Sequence, residues 1–251
     1  MKLLHCMKRP EYLESAIRDG LMFTDHLVEF SPTNDRNLLS RLVSEIKPII
    51  ERRLMALGRS LATLTLIEER CVFAGIGSIK GQIPMLCFTE VPNGRILDTH
   101  RTSFGEYGLV ISQRWVEDNG GDKVIYVGNG SAISCQLFKL LAKVRLADLF
   151  VGPSGNLLFD NSGTRDSLDF FSHIEVRANI EQSEWRIPGL HGFMGGPKST
   201  NQRLPLRLDA IETILVPASD IGSFSSLVNQ LAEDQGQIAP RVEGFGDTLT
   251  P

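Results

Sequence analysis

Leu86-Cys87-Phe88-Thr89-Glu90-Val91-Pro92 and Glu181-Gln182-Ser183-Glu184-Trp185-Arg186-Ile187 decide how this chain is read. In each stretch, polar side chains able to take part in chemistry stand against strongly apolar neighbours. An ordinary half-buried strand alternates apolar and polar residues without gathering Thr, Glu, His and Tyr at its end. His100 and Tyr107-Gly108 follow the first stretch. The pattern fits a site where strands run into loops. It fits equally two surface strands whose charges pair with each other.

Outward from these stretches, strands and helices follow one another without a regular βαβ period. Leu3 to Met7 reads as a short strand. Pro10 opens a helix with Tyr12, Leu13, Ala16 and Ile17 on its apolar face, and Gly20 ends it in a left-handed cap. Ser31 to Asn34 supplies the cap of a long helix. In it Leu38, Leu39, Leu42, Val43, Ile46, Ile49, Ile50, Leu54 and Leu57 recur at three and four residues, and Pro48 introduces a kink. Leu61 to Arg70 either continues this helix or breaks from it at Gly58.

Strands follow at Met85 to Thr89, Tyr107 to Ser112 and Lys123 to Val127, all rich in β-branched or aromatic residues. A helical turn around Trp115 and a Gly120-Gly121 turn separate the last two. Ser131 or Ser134 caps a helix bearing Leu137, Leu140, Leu141, Val144 and Leu149. Phe170 to Arg177 and Glu184 to Ile187 are further strands. The Gly/Pro-rich loop at 191–207 is too long for a plain connector and reads as a lid or recognition loop. Ala210 to Val216 is a strand, and Ser219 caps a last helix to about Gln235.

The order predicts an α+β fold: one domain over residues 1–251, with a mixed, mainly antiparallel central sheet flanked by helices and a helical insert at 34–70. The strands at 3–7, 85–89, 107–112 and 184–187 are expected side by side, with His5, Thr89, Tyr107 and Glu184 near one cleft. The Leu/Ile face of the long helix is expected to pack on this sheet or on a partner.

Composition narrows the function. With 251 residues, 42% of them apolar, the chain can bury a large core, and its net charge of −4 argues against a broad surface for duplex nucleic acid. Lys198 to Arg207 is a local basic patch with no acid, read as a solvated loop or a nucleic-acid contact. The four cysteines lie singly, without a C-x-x-C pair, which argues against a structural metal. No leader pattern follows Met1, and no run reaches the roughly 18 apolar residues of a membrane span. These features lead us to expect a soluble protein of a reducing cytoplasm.

No phosphate loop, nucleophile elbow or H-E-x-x-H motif is present. Gly75-x-Gly77 lacks a third glycine and reads as a turn. His5, on the first strand, is placed either to hold a ribose or to satisfy a backbone carbonyl. Thr89 and Glu90 end the second strand, and Tyr107 opens the next, where a hydroxyl and a ring would orient a flat ligand. Glu184 beside Trp185 is placed to act on a sugar hydroxyl or on positive charge at a glycosidic carbon. Its rival role is an ion pair with Arg186 or another arginine.

These residues together resemble the AbiGi-type abortive phage-resistance family of bacteria. The resemblance rests on the opening Leu4-His5 with its following helix and Gly20-Leu21, Cys87-Phe88-Thr89-Glu90-Val91-Pro92, His100, Tyr107-Gly108 and Glu184-Trp185-Arg186. It runs from residue 3 to about 216, and the helical insert lies outside its core pattern. Members are usually described as antitoxins of abortive-infection systems, so the resemblance implies anti-phage defence or a toxin–antitoxin-like system.

A looser similarity, to ADP-ribosyltransferases, rests on the order His5, Thr89 or Tyr107, Glu184, and on Gln182-Ser183-Glu184 in Q-x-E form. Phe88-Thr89-Glu90 departs from the Ser-Thr-Ser usual in the arginine class. This similarity implies an NAD- or nucleotide-directed site. In it Glu184, His5 and Tyr107 carry the chemistry, and His5, Thr89, Glu90, His100 and Tyr107 hold the cofactor without a metal. The rival is a non-catalytic antitoxin or regulatory protein that acts by binding a partner protein.

Overall fold

A computed structural model describes residues 1–77, 79–91, 98–159, 172–177, 183–189 and 202–245. The fold is α+β, built on a mixed, mostly antiparallel sheet with seven α-helices among the described residues. It divides into two compact units, each drawn from separated stretches of chain. The first takes Met1–Thr24, Pro84–Lys123 and Gln182–Pro251, and the second takes Asp25–Ile83 and Val124–Glu181. The expected insert at 34–70 lies in the second unit.

In the first unit, β1 (Lys2–Met7) lies between β4 (Ile79–Glu90) and β5 (Tyr107–Ser112), antiparallel to both. β11 (Glu184–Pro188) pairs with the far side of β4, and β6 (Asp122–Lys123) with β11. On the other flank β13 (Ile211–Val216) pairs with β5, and β14 (Arg241–Gly244) runs parallel to β13 at the edge. The four strands expected side by side are therefore consecutive neighbours, in the order β5-β1-β4-β11. β3 (Thr24–Phe30) also pairs with β4, whose residues 79–83 belong to the second unit. β14 has no counterpart in the sequence reading, because one apolar residue, Val242, marks it.

One face of this sheet carries the main core. Leu3 and Met7 of β1, Leu86 and Phe88 of β4, Leu109 and Ile111 of β5, and Trp185 and Ile187 of β11 lie on it. Two helices cover them: α1 (Pro10–Asp19), through Leu13, Ala16 and Ile17, and α7 (Ile221–Gln235), through Phe224, Val228 and Ala232. Removing one such buried leucine or isoleucine costs about 2–5 kcal/mol. α1 ends at Gly20, whose N–H reaches Ala16 O at 3.1 Å. Its φ of 95° and ψ of 168° lie outside the left-handed helical cap expected. A β-carbon there would stand 2.4 Å from Leu204 O on β12 (Arg203–Leu204), which pairs with β2 (Leu21–Met22). Glycine is required because the two chains approach so closely. Of the expected loop at 191–207, residues 202–207 are described and include β12; the earlier ones lie outside the described residues.

Among the described residues, the second unit holds three α-helices, α2 (Arg36–Ala56), α3 (Leu66–Gly77) and α6 (Ala132–Ala147). The cap of α2 is Asp35, one residue beyond the expected stretch; its carboxylate accepts from the N–H groups of Asn37 and Leu38 at 2.8 and 3.4 Å. Its buried residues are Leu42, Ile46, Ile50 and Leu54, and α6 is its neighbour within the unit. The chain breaks at Gly58, with φ 70°, and α3 starts from a reciprocal Thr65–Glu68 cap. Gly75 and Gly77 lie in the last turns of α3, where a separate turn was expected.

Ser131 caps α6, and the buried residues are Ser134, Phe138, Leu141, Ala142 and Leu146. Leu140 is exposed, and Leu149, expected on this helix, begins the strand beyond its end. Arg53 of α2 donates from Nη2 to Ala147 O, a carbonyl that the end of α6 leaves open, and to Leu149 O, at 2.8 and 2.6 Å. β7 (Ile125–Gly128) pairs in parallel with β10 (Ile174–Arg177), and β8 (Leu149–Val151) pairs antiparallel with β9 (Leu157–Phe159). Residues 170 and 171 of the expected strand lie outside the described residues. In the first unit, the expected cap Ser219 lies in a 3₁₀ turn, Ala218–Asp220, and Asp220 is the residue that precedes α7.

Among the described residues, no helix is long and apolar enough to cross a membrane.

Candidate functional site

Register decides which side chains can meet. Glu184 of β11 stands directly opposite Thr89 of β4, Thr89 opposite Leu4 of β1, and Leu4 opposite Val110 of β5. Directly paired residues share a face of a sheet, and neighbours along a strand point to opposite faces. Thr89, Glu184, Arg186, Cys87 and Cys6 therefore share one face. His5, Phe88, Glu90, Tyr107 and Trp185 point to the other, the face that α1 and α7 cover. The four residues expected around one cleft are split two and two by the sheet. This corrects the expected grouping: strand order came out as expected, and side-chain direction did not.

On the first face, Glu184 and Arg186 are two residues apart on β11. The guanidinium grips the carboxylate with two bonds, Nε to Oε1 at 2.9 Å and Nη2 to Oε2 at 3.0 Å. Both side chains are largely buried, at 16% and 12% exposure. Beside the pair lies Thr89, with its hydroxyl. Cys6 is on the same face; burial pushes its thiol up to about 12, so it stays protonated.

His5 serves the backbone on the opposite face. The β1–β4 ladder ends at Leu4–Thr89, and the His5 ring takes the carbonyl of Cys87 at 2.8 Å. A carbonyl only accepts, so Nδ1 carries the proton. The ring also stands 5.4 Å from that of Phe88. Of the two readings open in the sequence, backbone satisfaction is the one observed.

Tyr107 donates its hydroxyl to Asp220 Oδ2 at 2.6 Å, and its ring lies 6.2 Å from that of Phe224. The hydrogen bond to Asp220, helped by burial and by nearby carboxylates, raises the phenol to about 12. The same bond, joined by Ser219, holds Asp220 below the ordinary range against the opposing effect of burial.

Glu90 is a junction that joins three strands. Its Oε1 accepts from Trp185 Nε1 at 2.9 Å and faces Lys123 Nζ at 2.8 Å. Burial raises this carboxyl, but hydrogen bonds from Lys123, Ser183 and Trp185 outweigh burial and hold it low. His100 falls on α4 (Asp98–Phe104), a helix beside β1. Pro92 and Gln182 lie outside the described residues.

The sequence reading missed Lys123 and Asp220, and it treated Arg186 only as a rival partner for Glu184. An i, i+2 charge pair on a strand was the available signal for Arg186. The other two partners come from distant segments and left none.

No family model, curated protein or solved structure matches the chain.

The residues expected to hold NAD do not gather on one face of the sheet. The ring and the imidazole meant to hold a nucleoside lie across the sheet from Glu184, bonded to Asp220 and to Cys87. Glu184, Arg186 and Thr89 remain as a polar group with a carboxylate, a cation and a hydroxyl on one face.

Proposed function

We propose that this chain is a cytoplasmic component of bacterial anti-phage defence, of the abortive-infection or toxin–antitoxin kind, that acts by binding a protein partner. The defence context rests on the resemblance to the AbiGi-type family. The binding role rests on one observation: His5, Tyr107 and Glu184, the residues expected to do chemistry, divide between two faces and each serves an internal bond. A second reading, a nucleotide- or NAD-directed site, is favoured by Thr89, Glu184 and Arg186 sharing a face.

The two separate in one experiment. The purified chain is incubated with NAD, nicotinamide release is followed, and NAD binding is measured by calorimetry beside a phage-protection assay. Protection without NAD binding or release is the expected result. Release of nicotinamide that Glu184→Gln abolishes without lowering the melting temperature would replace the binding role with the catalytic one.

A further inference from the structure

α6 has two apolar faces, one buried and the other partly exposed. The buried face is Phe138, Leu141, Ala142 and Leu146. The other is a stripe of Ile133, Leu137, Leu140 and Val144, spaced four, three and four residues apart. Ile133 is 64% exposed and Leu140 52%, while Leu137 and Val144 are half-buried. We propose that this stripe is the docking surface for an amphipathic helix of a protein partner whose apolar seam is flanked by acidic residues.

The spacing argues for a helix as the occupant. Steps of four and three place apolar side chains along one seam, as in the a and d positions of a coiled coil. The stripe runs for about 16 Å, close to three helical turns. An extended segment would bring side chains every second residue and would not match it.

Charge argues for acidic flanks. α6 contains Lys139, Lys143 and Arg145 and no Asp or Glu. Lys139 already reaches Glu45 and Arg145 stands near Asp148, whereas Lys143 is exposed on the rim of the stripe beside Gln136. A second copy of the chain would present the same acid-free helix to this rim. A single seam of four residues also falls well short of the roughly 1,200 Å² that a stable dimer buries. A helix carrying Glu or Asp beside its leucines complements both the seam and the rim.

The proposal rests on the binding reading and names the kind of partner and where it docks. The probe is a fluorescent peptide of about three heptads, with Leu along its seam and Glu on both flanks; its twin carries Lys on the flanks. Anisotropy with the full chain should show the acidic peptide binding in the micromolar range and about tenfold more tightly than its twin at low salt. Leu140→Asp should weaken binding by about tenfold or more, and Lys143→Glu should shift the preference toward the basic twin. Leu140→Gln serves as a second variant, and the melting temperature confirms that each variant is folded.

Equal binding of both peptides, no binding at about 200 μM, or indifference to Leu140 would overturn the proposal. So would a homodimer in light scattering that Leu140→Asp dissociates, since a second copy would then be the occupant. A phage-protection assay with the same variants keeps the two ideas apart. Loss of protection together with peptide binding supports both. A parent chain that gives no protection while the peptide results hold removes the defence reading and leaves the surface standing.

Discussion

Replacing Glu184 by Gln keeps its shape and removes the charge that Arg186 holds. The pair sits at 16% and 12% side-chain exposure with bonds of 2.9 and 3.0 Å, so solvent does little to replace the carboxylate's share of the interaction. Breaking a buried pair by removing one partner costs about 3 kcal/mol, whereas an exposed pair costs about 1 kcal/mol or less. The burial places this pair near the first figure. In a chain of 251 residues, where each kcal/mol moves the melting temperature by roughly 2–4 °C, the variant should melt about 6–12 °C lower. Replacing both residues by leucine should recover most of that loss, because neither charge is then buried alone. Calorimetry on the parent, Glu184→Leu, Arg186→Leu and the double variant gives the coupling energy directly. A Glu184→Gln protein that melts within about a degree of the parent would refute the structural assignment. If protection or NAD chemistry also collapsed in that protein, the carboxylate would belong to the function.

Three further outcomes follow from the same geometry. Glu90 is held low in the folded chain, so its contribution is complete above the unfolded value near 4.3 and is lost as pH falls through the lower folded value. Urea unfolding between pH 6 and 3 should therefore show a slope that Glu90→Gln reduces, and equal slopes would contradict the network. Tyr107 is raised to about 12, so its stabilising bond is intact below the unfolded value near 10 and is lost as pH rises toward the folded one. In an ultraviolet titration one of the three tyrosines should ionise late, and Tyr107→Phe should remove that step. Gly20→Ala meets both a φ of 95° and a carbonyl oxygen 2.4 Å from the new carbon, so it should destabilise by about 3 kcal/mol in chemical denaturation; a loss below about 1 kcal/mol would mean that β12 yields easily.

The sheet was legible because its strands are short, apolar and separated by turn signals, and pairing of β1, β4, β5 and β11 needs little more. The site was not. Whether His5 faces Glu184 depends on a single step along β1, since Leu4 pairs with Thr89 and His5 points the other way. That register comes from the partner strand and cannot be read from β1 alone. α6 posed a similar problem: two apolar stripes run along it, and of the apolar residues read from the sequence as lying on it, the fold buries Leu141, while Leu149 falls beyond its end at Ala147. The Glu184–Arg186 pair was visible as an alternative because both residues lie on one strand. The Tyr107–Asp220 bond joins residues 113 positions apart and was hidden for that reason.

The chain passes between its two units at residues 24, 83, 123 and 181, four crossings in all. β1 precedes the other strands of its sheet in the chain, yet that sheet is incomplete until β11 and β13 have been made. The second unit needs the chain as far as residue 181 and the first needs the strands beyond it, so early segments wait with unpaired edges. No simple truncation yields one unit without cutting the other, and fragments used to map activity will fail for reasons of folding alone. A circular permutant that joins the pieces of one unit is the way to obtain it separately.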